Sequence, residues 1–143
     1  MVISAKDIDN NTDIVETEVA FLKKVNEFIV IVEFRADCNI TRQNAAEVGK
    51  KAISLFNGGK FFSIIDGTKG LATLTNETLT YSATDETLNK HRMAQAIIVD
   101  NIPLSMIANF YLKFKNPKRP VKVFDKIHKA YRWLESQQFL LEE

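Results

Sequence analysis

Residues 94–125, AQAIIVDNIPLSMIANFYLKFKNPKRPVKVFD, constrain the fold more than any other part of the chain. The continuous apolar run at 96–99, rich in β-branched residues, is how a strand buried on both faces looks. Asp100 and Asn101 offer capping side chains, and Pro103 suits a first helical turn, where its missing N–H costs nothing. Over Ile102–Phe114 the polar residues Ser105, Asn109 and Lys113 recur every fourth place, and apolar residues cover the rest. A helix lying on a sheet needs an apolar arc only about 100° wide. This helix has a surplus, yet it is shorter than the roughly 20 residues a bilayer span takes. The surplus is therefore expected to meet protein, ligand or a membrane surface. A Pro-rich loop and the apolar run Val121–Phe124 complete a strand-helix-strand unit.

Upstream, residues 15–22 alternate, with Val15, Thr17, Val19 and Phe21 on one side. This predicts a half-exposed strand, a turn within 23–27, and a buried strand at 28–34 (FIVIVEF) paired as a hairpin. Residues 1–13 read as a frayed tail. Thr41 is a suitable N-cap for a helix carrying Ala45, Val48, Ala52, Leu55 and Phe56, which Asn57-Gly58-Gly59 would end. A buried strand at 61–65 closes at Asp66-Gly67. Residues 76–92 give the weakest pattern, one interrupted helix or two short ones, with threonines lowering its propensity. Asp125 is expected to cap a last helix over 126–137, with Ile127, Ala130, Tyr131 and Leu134 on its inner face.

The order ββαβαβαβα defines an α/β fold, one domain over 1–143. It predicts a mixed, mostly parallel sheet of about five strands with four helices and right-handed crossovers. At 143 residues and 45% hydrophobic the chain has material for a core. A net charge of +1 argues against a general nucleic-acid binder. One cysteine, Cys38, excludes an intramolecular disulfide and fits a reducing compartment. The N-terminus lacks the basic start and apolar core of a signal peptide, so a cytoplasmic protein is expected.

Asp37, Asp66, Asp100 and Asp125 follow the ends of predicted strands, the edge of a parallel sheet where ligands bind. They would suit Mg²⁺-assisted phosphoryl chemistry only with an adjacent acidic pair and a partnering lysine, which are not evident. Capping and turn shaping account for them. Lys113, Lys115, Lys118, Arg119 and Lys122 form a basic run that suits either an anionic contact or a solvated loop. His91 and His128 have no metal-motif spacing, and Cys38 beside Asp37 is a poor nucleophile because a carboxylate disfavours the thiolate. Gly58-Gly59 ends a helix instead of opening one, so it is no phosphate loop. No catalytic residue, metal or cofactor is expected.

The hairpin, the strand-helix units and the Asp-Gly-Thr-Lys-Gly-Leu loop at 66–71 resemble the STAS fold of anti-sigma-factor antagonists. The stretch Val99-Asp100, Pro103 to Phe114, Lys122 to Phe124 and Ala130 to Leu134 is similar to bacterial STAS/SEC14-like proteins of unknown function. In STAS antagonists a Ser or Thr directly after the strand-ending Asp is phosphorylated. Gly67 stands there in this chain, which leaves Thr68, one place on, as the candidate regulatory phosphosite.

These features imply a non-enzymatic regulatory or protein-interaction module, self-associating as a homodimer or meeting another regulatory protein. Met106, Phe110, Tyr111 and Phe114 are the candidate contacts. The alternative is a carrier or sensor of an apolar ligand or lipid, with Lys113, Lys115, Lys118 and Arg119 touching an anionic surface.

Overall fold

The computed structural model describes residues 13–69 and 72–142. The tail expected at 1–13 therefore lies outside the described residues apart from Asp13, as do Gly70 and Leu71 of the expected loop. The chain runs β1 (Asp13–Glu16), β2 (Ala20–Lys24), β3 (Ile29–Phe34), β4 (Asn39–Ile40), α1 (Arg42–Leu55), β5 (Phe61–Asp66) and β6 (Thr73–Leu74). It continues with α2 (Asn76–Thr84), α3 (Glu86–His91), β7 (Arg92–Ile98), α4 (Ile102–Phe114), β8 (Val121–Phe124), α5 (Ile127–Ser136) and a 3₁₀ turn, Gln138–Glu142.

The main sheet has the order β1-β2-β3-β5-β7-β8. β2 is antiparallel to β1 and β3, and the pairs β3/β5, β5/β7 and β7/β8 are parallel. This is the mixed, mostly parallel arrangement that the strand-helix order of the sequence implies. Among the described residues the main sheet has six strands and the fold five α-helices, one more of each than expected.

The extra strand comes from a turn that the alternation at 15–22 conceals. Thr17 Oγ1 accepts from the backbone N–H groups of Val19 (3.3 Å) and Ala20 (3.0 Å), and Thr17 N–H donates to the Ala20 carbonyl at 2.8 Å. The chain folds back there. Ala20 and Leu22 face the core, and Phe21 lies half-exposed under the Arg35 guanidinium. Of the expected grouping, Val15, Thr17 and Val19 keep to the core side, and Phe21 leaves it because the turn at 17–19 shifts the alternation. The hairpin turn also begins later than expected, since Lys23 and Lys24 belong to β2.

Helix α1 starts as its sequence predicts. Thr41 and Asn44 form a reciprocal capping box, and the helix ends through Asn57 (φ 53°) and Gly58 (φ 76°). The weak pattern at 76–92 resolves into two helices joined at Asp85, whose side chain accepts from Leu88 N–H at 2.9 Å. Arg92 opens β7, which begins four residues earlier than the apolar run indicated. Asp125 does not cap α5: it pairs with Lys129 at 2.8 Å, and Lys126 holds the cap position without a side-chain bond.

The sheet is buried on both faces. On one side Leu22, Val30, Val32 and Phe61 pack against Val48, Ala52 and Phe56 of the α1 region, with the Phe56 and Phe61 rings stacked at 4.8 Å. On the other side Ile31, Phe62, Ile64, Ala96 and Ile98 pack against Ala130, Tyr131 and Leu134 of α5. The two-residue parallel ladder of β4 with β6 ties together the loops that follow β3 and β5.

Candidate functional site

Helix α4 is positioned by its ends. Asn101 Oδ1 accepts from Leu104 N–H at 2.9 Å, Pro103 sits in the first turn, and Asn116 (φ 48°) turns the chain away after the Lys115 cap. Between these ends the helix has two apolar faces. Ile102, Met106, Phe110 and Phe114 recur every fourth residue on the outer face and are 76, 67, 42 and 63% exposed. The Phe110 and Phe114 rings touch, with centroids 5.0 Å apart. Four aligned apolar side chains left in water form a patch, in contrast to the scattered single residues found on any surface.

Of the four expected contacts, Met106, Phe110 and Phe114 therefore share this face. Tyr111 does not. It is buried, and its hydroxyl donates to Ser82 Oγ at 3.2 Å. Burial inside the fold removes it from the outer group because the phenol finds a polar partner on α2.

The inner face of α4 covers a cavity of about 150 Å³ between the helices and the sheet. Leu104, Ile107, Ala108 and Tyr111 roof it, and residues of α1, α2 and α3 form its walls. Its floor follows the sheet register: Val30, Ser63 and Gln95 stand side by side across β3, β5 and β7, and the row Val32, Ile65 and Ile97 lies next to them. Ser63 and Gln95 are buried polar residues on an otherwise apolar floor, and no hydrogen-bond partner among the described residues reaches Ser63 Oγ.

Arg92 also lines the cavity, 6% exposed. Its Nη1 donates to Ser82 Oγ at 3.0 Å and its Nη2 to the Ser82 carbonyl at 2.6 Å, while Nε–H has no partner among the described residues. Burial pushes the guanidinium pKa down, against a smaller upward pull from Tyr111. Tyr81, on the same wall, is shifted up by burial and then by Asp85.

Ser63, Gln95 and Arg92 were not among the residues the sequence singled out. A signal was present for two of them: Ser63 within FFSII and Gln95 within MAQAII interrupt runs that are otherwise apolar.

The basic run divides. Lys113 and Lys118 are exposed, whereas Lys115 Nζ contacts Asn76 Oδ1 and Arg119 Nε donates to the Asn89 carbonyl at 2.7 Å, anchoring the loop to the end of α3. The strand-end aspartates each serve local structure. Asp66 Oδ1 accepts from Thr68 N–H and Oγ1 (2.9 and 2.6 Å), Asp100 accepts from Asn101, and Asp37 adopts a positive φ in its loop. No group of three His, Cys, Asp or Glu side chains among the described residues is placed to hold one metal ion. Cys38 is half-buried against the α1-side core. No helix among the described residues is long and apolar enough to cross a membrane.

Gly67 is required where it stands. Its N–H donates to the Ile98 carbonyl at 2.8 Å, and a Cβ there would lie 2.5 Å from that same oxygen. A Ser or Thr cannot replace it in this backbone. Thr68 instead closes the turn onto Asp66.

The architecture and the site thus describe a small α/β domain with an apolar helix set between a cavity and an open face. The chain belongs to the family described as a domain of unknown function, DUF7793, whose profile matches residues 22–138. It is similar to an uncharacterized protein of the DUF3478 family with a SpoIIAA-like fold from Shewanella loihica PV-4, known from a crystal structure. The identity is 16%, the TM-score 0.48, and the similarity covers 86% of this chain and 91% of that one. No curated protein matches the chain.

Proposed function

We propose that the protein is a non-enzymatic interaction module that self-associates through the outer face of α4. The observation behind this reading is the exposed stripe of Ile102, Met106, Phe110 and Phe114. A second copy suits this face. In an antiparallel pairing Ile102 meets the partner's Phe114, and Met106 meets the partner's Phe110. The same orientation brings exposed Asp100, at the helix start, near the partner's Lys113, and it opposes the two helix dipoles favourably. Such an isologous contact is the commonest route to a homodimer. A single cysteine suits a reducing compartment, and we place the protein in the cytoplasm. Thr68 is the modification point within this reading: a phosphate on its Oγ1 would face Asp66 and open the turn.

Native mass spectrometry tests self-association. A wild-type dimer that becomes a monomer in the double variant Phe110→Ser, Phe114→Ser supports it, and a wild-type monomer contradicts it.

The cavity favours a second reading, a sensor of a small apolar ligand, because its roof is the helix that carries the docking face. A ligand that braces Leu104, Ile107 and Tyr111 would steady the outer stripe as well. A small non-covalent adduct in the same spectra supports this reading; for soaked candidate ligands, an unchanged unfolding midpoint contradicts it.

A further inference from the structure

We propose that the cavity beneath α4 receives a small organic carboxylate, its apolar body held by the cavity and its anionic head turned to Arg92. This inference rests on the ligand-sensor reading above and names the ligand's class.

Buried charges in proteins are paired or meet a ligand. Arg92 is 6% exposed, and no carboxylate among the described residues lies within ion-pair distance of it. Its partners are neutral: Ser82, through both hydroxyl and carbonyl oxygens, and Asn89 Oδ1 at 3.5 Å. The charge is thus oriented by the fold without a direct ion-pair partner, and Asp85 supplies only a minor pull from a distance.

The unsatisfied groups around the cavity are donors. Arg92 Nε–H lacks an acceptor among the described residues, and so does the hydroxyl of Ser63, itself 3% exposed. Ser82 Oγ already accepts from both Arg92 and Tyr111, which leaves its own proton to donate. A cation with hydroxyl donors asks for an anionic acceptor, and guanidinium groups match carboxylates well.

Polarity also sets a direction. In the β5/β7 register Arg92 pairs with Phe61 at one end, and Asp66 pairs with Ile98 at the other. Asp66 therefore repels an anionic head from its own end and directs it toward Arg92. Asp85, the nearby acid on the α3 side, is held by the Leu88 N–H that it caps. Arg42 lies over the Tyr81 ring at 5.5 Å and adds positive charge to that wall.

Size limits the body. A cavity of about 150 Å³ holds a benzene-sized molecule. Long-chain lipids are too large for it as it stands, so the class is an aromatic or short branched carboxylate.

Calorimetric titration at pH 7 and constant ionic strength compares benzoate with methyl benzoate and benzyl alcohol. Benzoate is expected to bind at least about tenfold more tightly than either, the worth of a charge-assisted hydrogen bond. The preference should vanish in Arg92→Met and shrink in Ser63→Ala. Equal affinity for the three probes overturns the carboxylate inference while keeping the apolar-ligand reading. Binding by none of them overturns both. The wild-type comparison decides the matter even if Arg92→Met fails to fold.

Discussion

The Tyr111 hydroxyl donates to Ser82 Oγ across 3.2 Å, and the same oxygen accepts from Arg92 at 3.0 Å. Tyr111 is thereby fixed inward, while its sequence neighbour Phe110, about 100° round the helix, stands 42% exposed on the outer face of α4. One helix separates an interior polar cluster from an exterior apolar stripe.

Tyr111→Phe removes the hydroxyl and keeps the ring. Ser82 retains its bond from Arg92, so no buried acceptor is orphaned, and the loss should be about 1 kcal/mol in urea unfolding. Amide exchange should quicken in α4 more than in α1, because this bond holds the roof helix to α2.

Gly67→Ala should destabilise the fold by roughly 1–3 kcal/mol, the range for forcing extra volume into packed structure. The added Cβ meets a backbone oxygen at 2.5 Å, which cannot swing aside as a side chain does. The urea midpoint reports it. A variant as stable as wild type would show that the β5 and β7 ends are not held as described.

Alkaline stability should depend on Tyr131. Burial, with a smaller contribution from Asp66, pushes its pKa up to about 12 from the ordinary phenol value of 10.0. The folded state therefore holds the phenolic proton more tightly than the unfolded state does. The contribution is fully present below pH 10 and is lost as pH rises from 10 toward 12, on the order of 2–3 kcal/mol in all. Tyr131→Phe should flatten that part of the pH–stability curve.

The proposed antiparallel pairing predicts a charge dependence. Asp100→Lys should weaken dimerisation, because it places like charges near the partner's Lys113 and Lys115, and salt should reduce the effect. Adding Lys113→Asp to Asp100→Lys should restore much of the affinity. Failure of this rescue in sedimentation equilibrium would argue for a different orientation of the helices.

The legible parts of the fold are those fixed locally. The Thr41 cap, the Asn57-Gly58 exit and the Asn101-Pro103 entry of α4 each depend on residues a few places apart, so their chemistry is visible in the sequence. The β1/β2 break was not, because Thr17 makes its turn with a side-chain oxygen and without Gly, Pro or Asn. The early start of β7 was hidden because its first residue is a buried cation, foreign to an apolar strand pattern. The surplus apolar surface of α4 could be read from the spacing of its polar residues. Which apolar residue faces inward could not, since Tyr111 is turned by Ser82, 29 positions away. The cavity cluster of Ser63, Gln95 and Arg92 likewise exists only once the strands are paired.

Sedimentation velocity on the wild type and the Phe110→Ser, Phe114→Ser variant tests directly whether the outer face of α4 is a self-association surface. A wild-type dimer and a folded, monomeric variant are expected, with the variant's unfolding free energy lowered by only about 1–2 kcal/mol, since Phe114 is largely exposed and Phe110 partly so. A wild type that stays monomeric at every concentration, or a variant that dimerises equally well, contradicts self-association through this face.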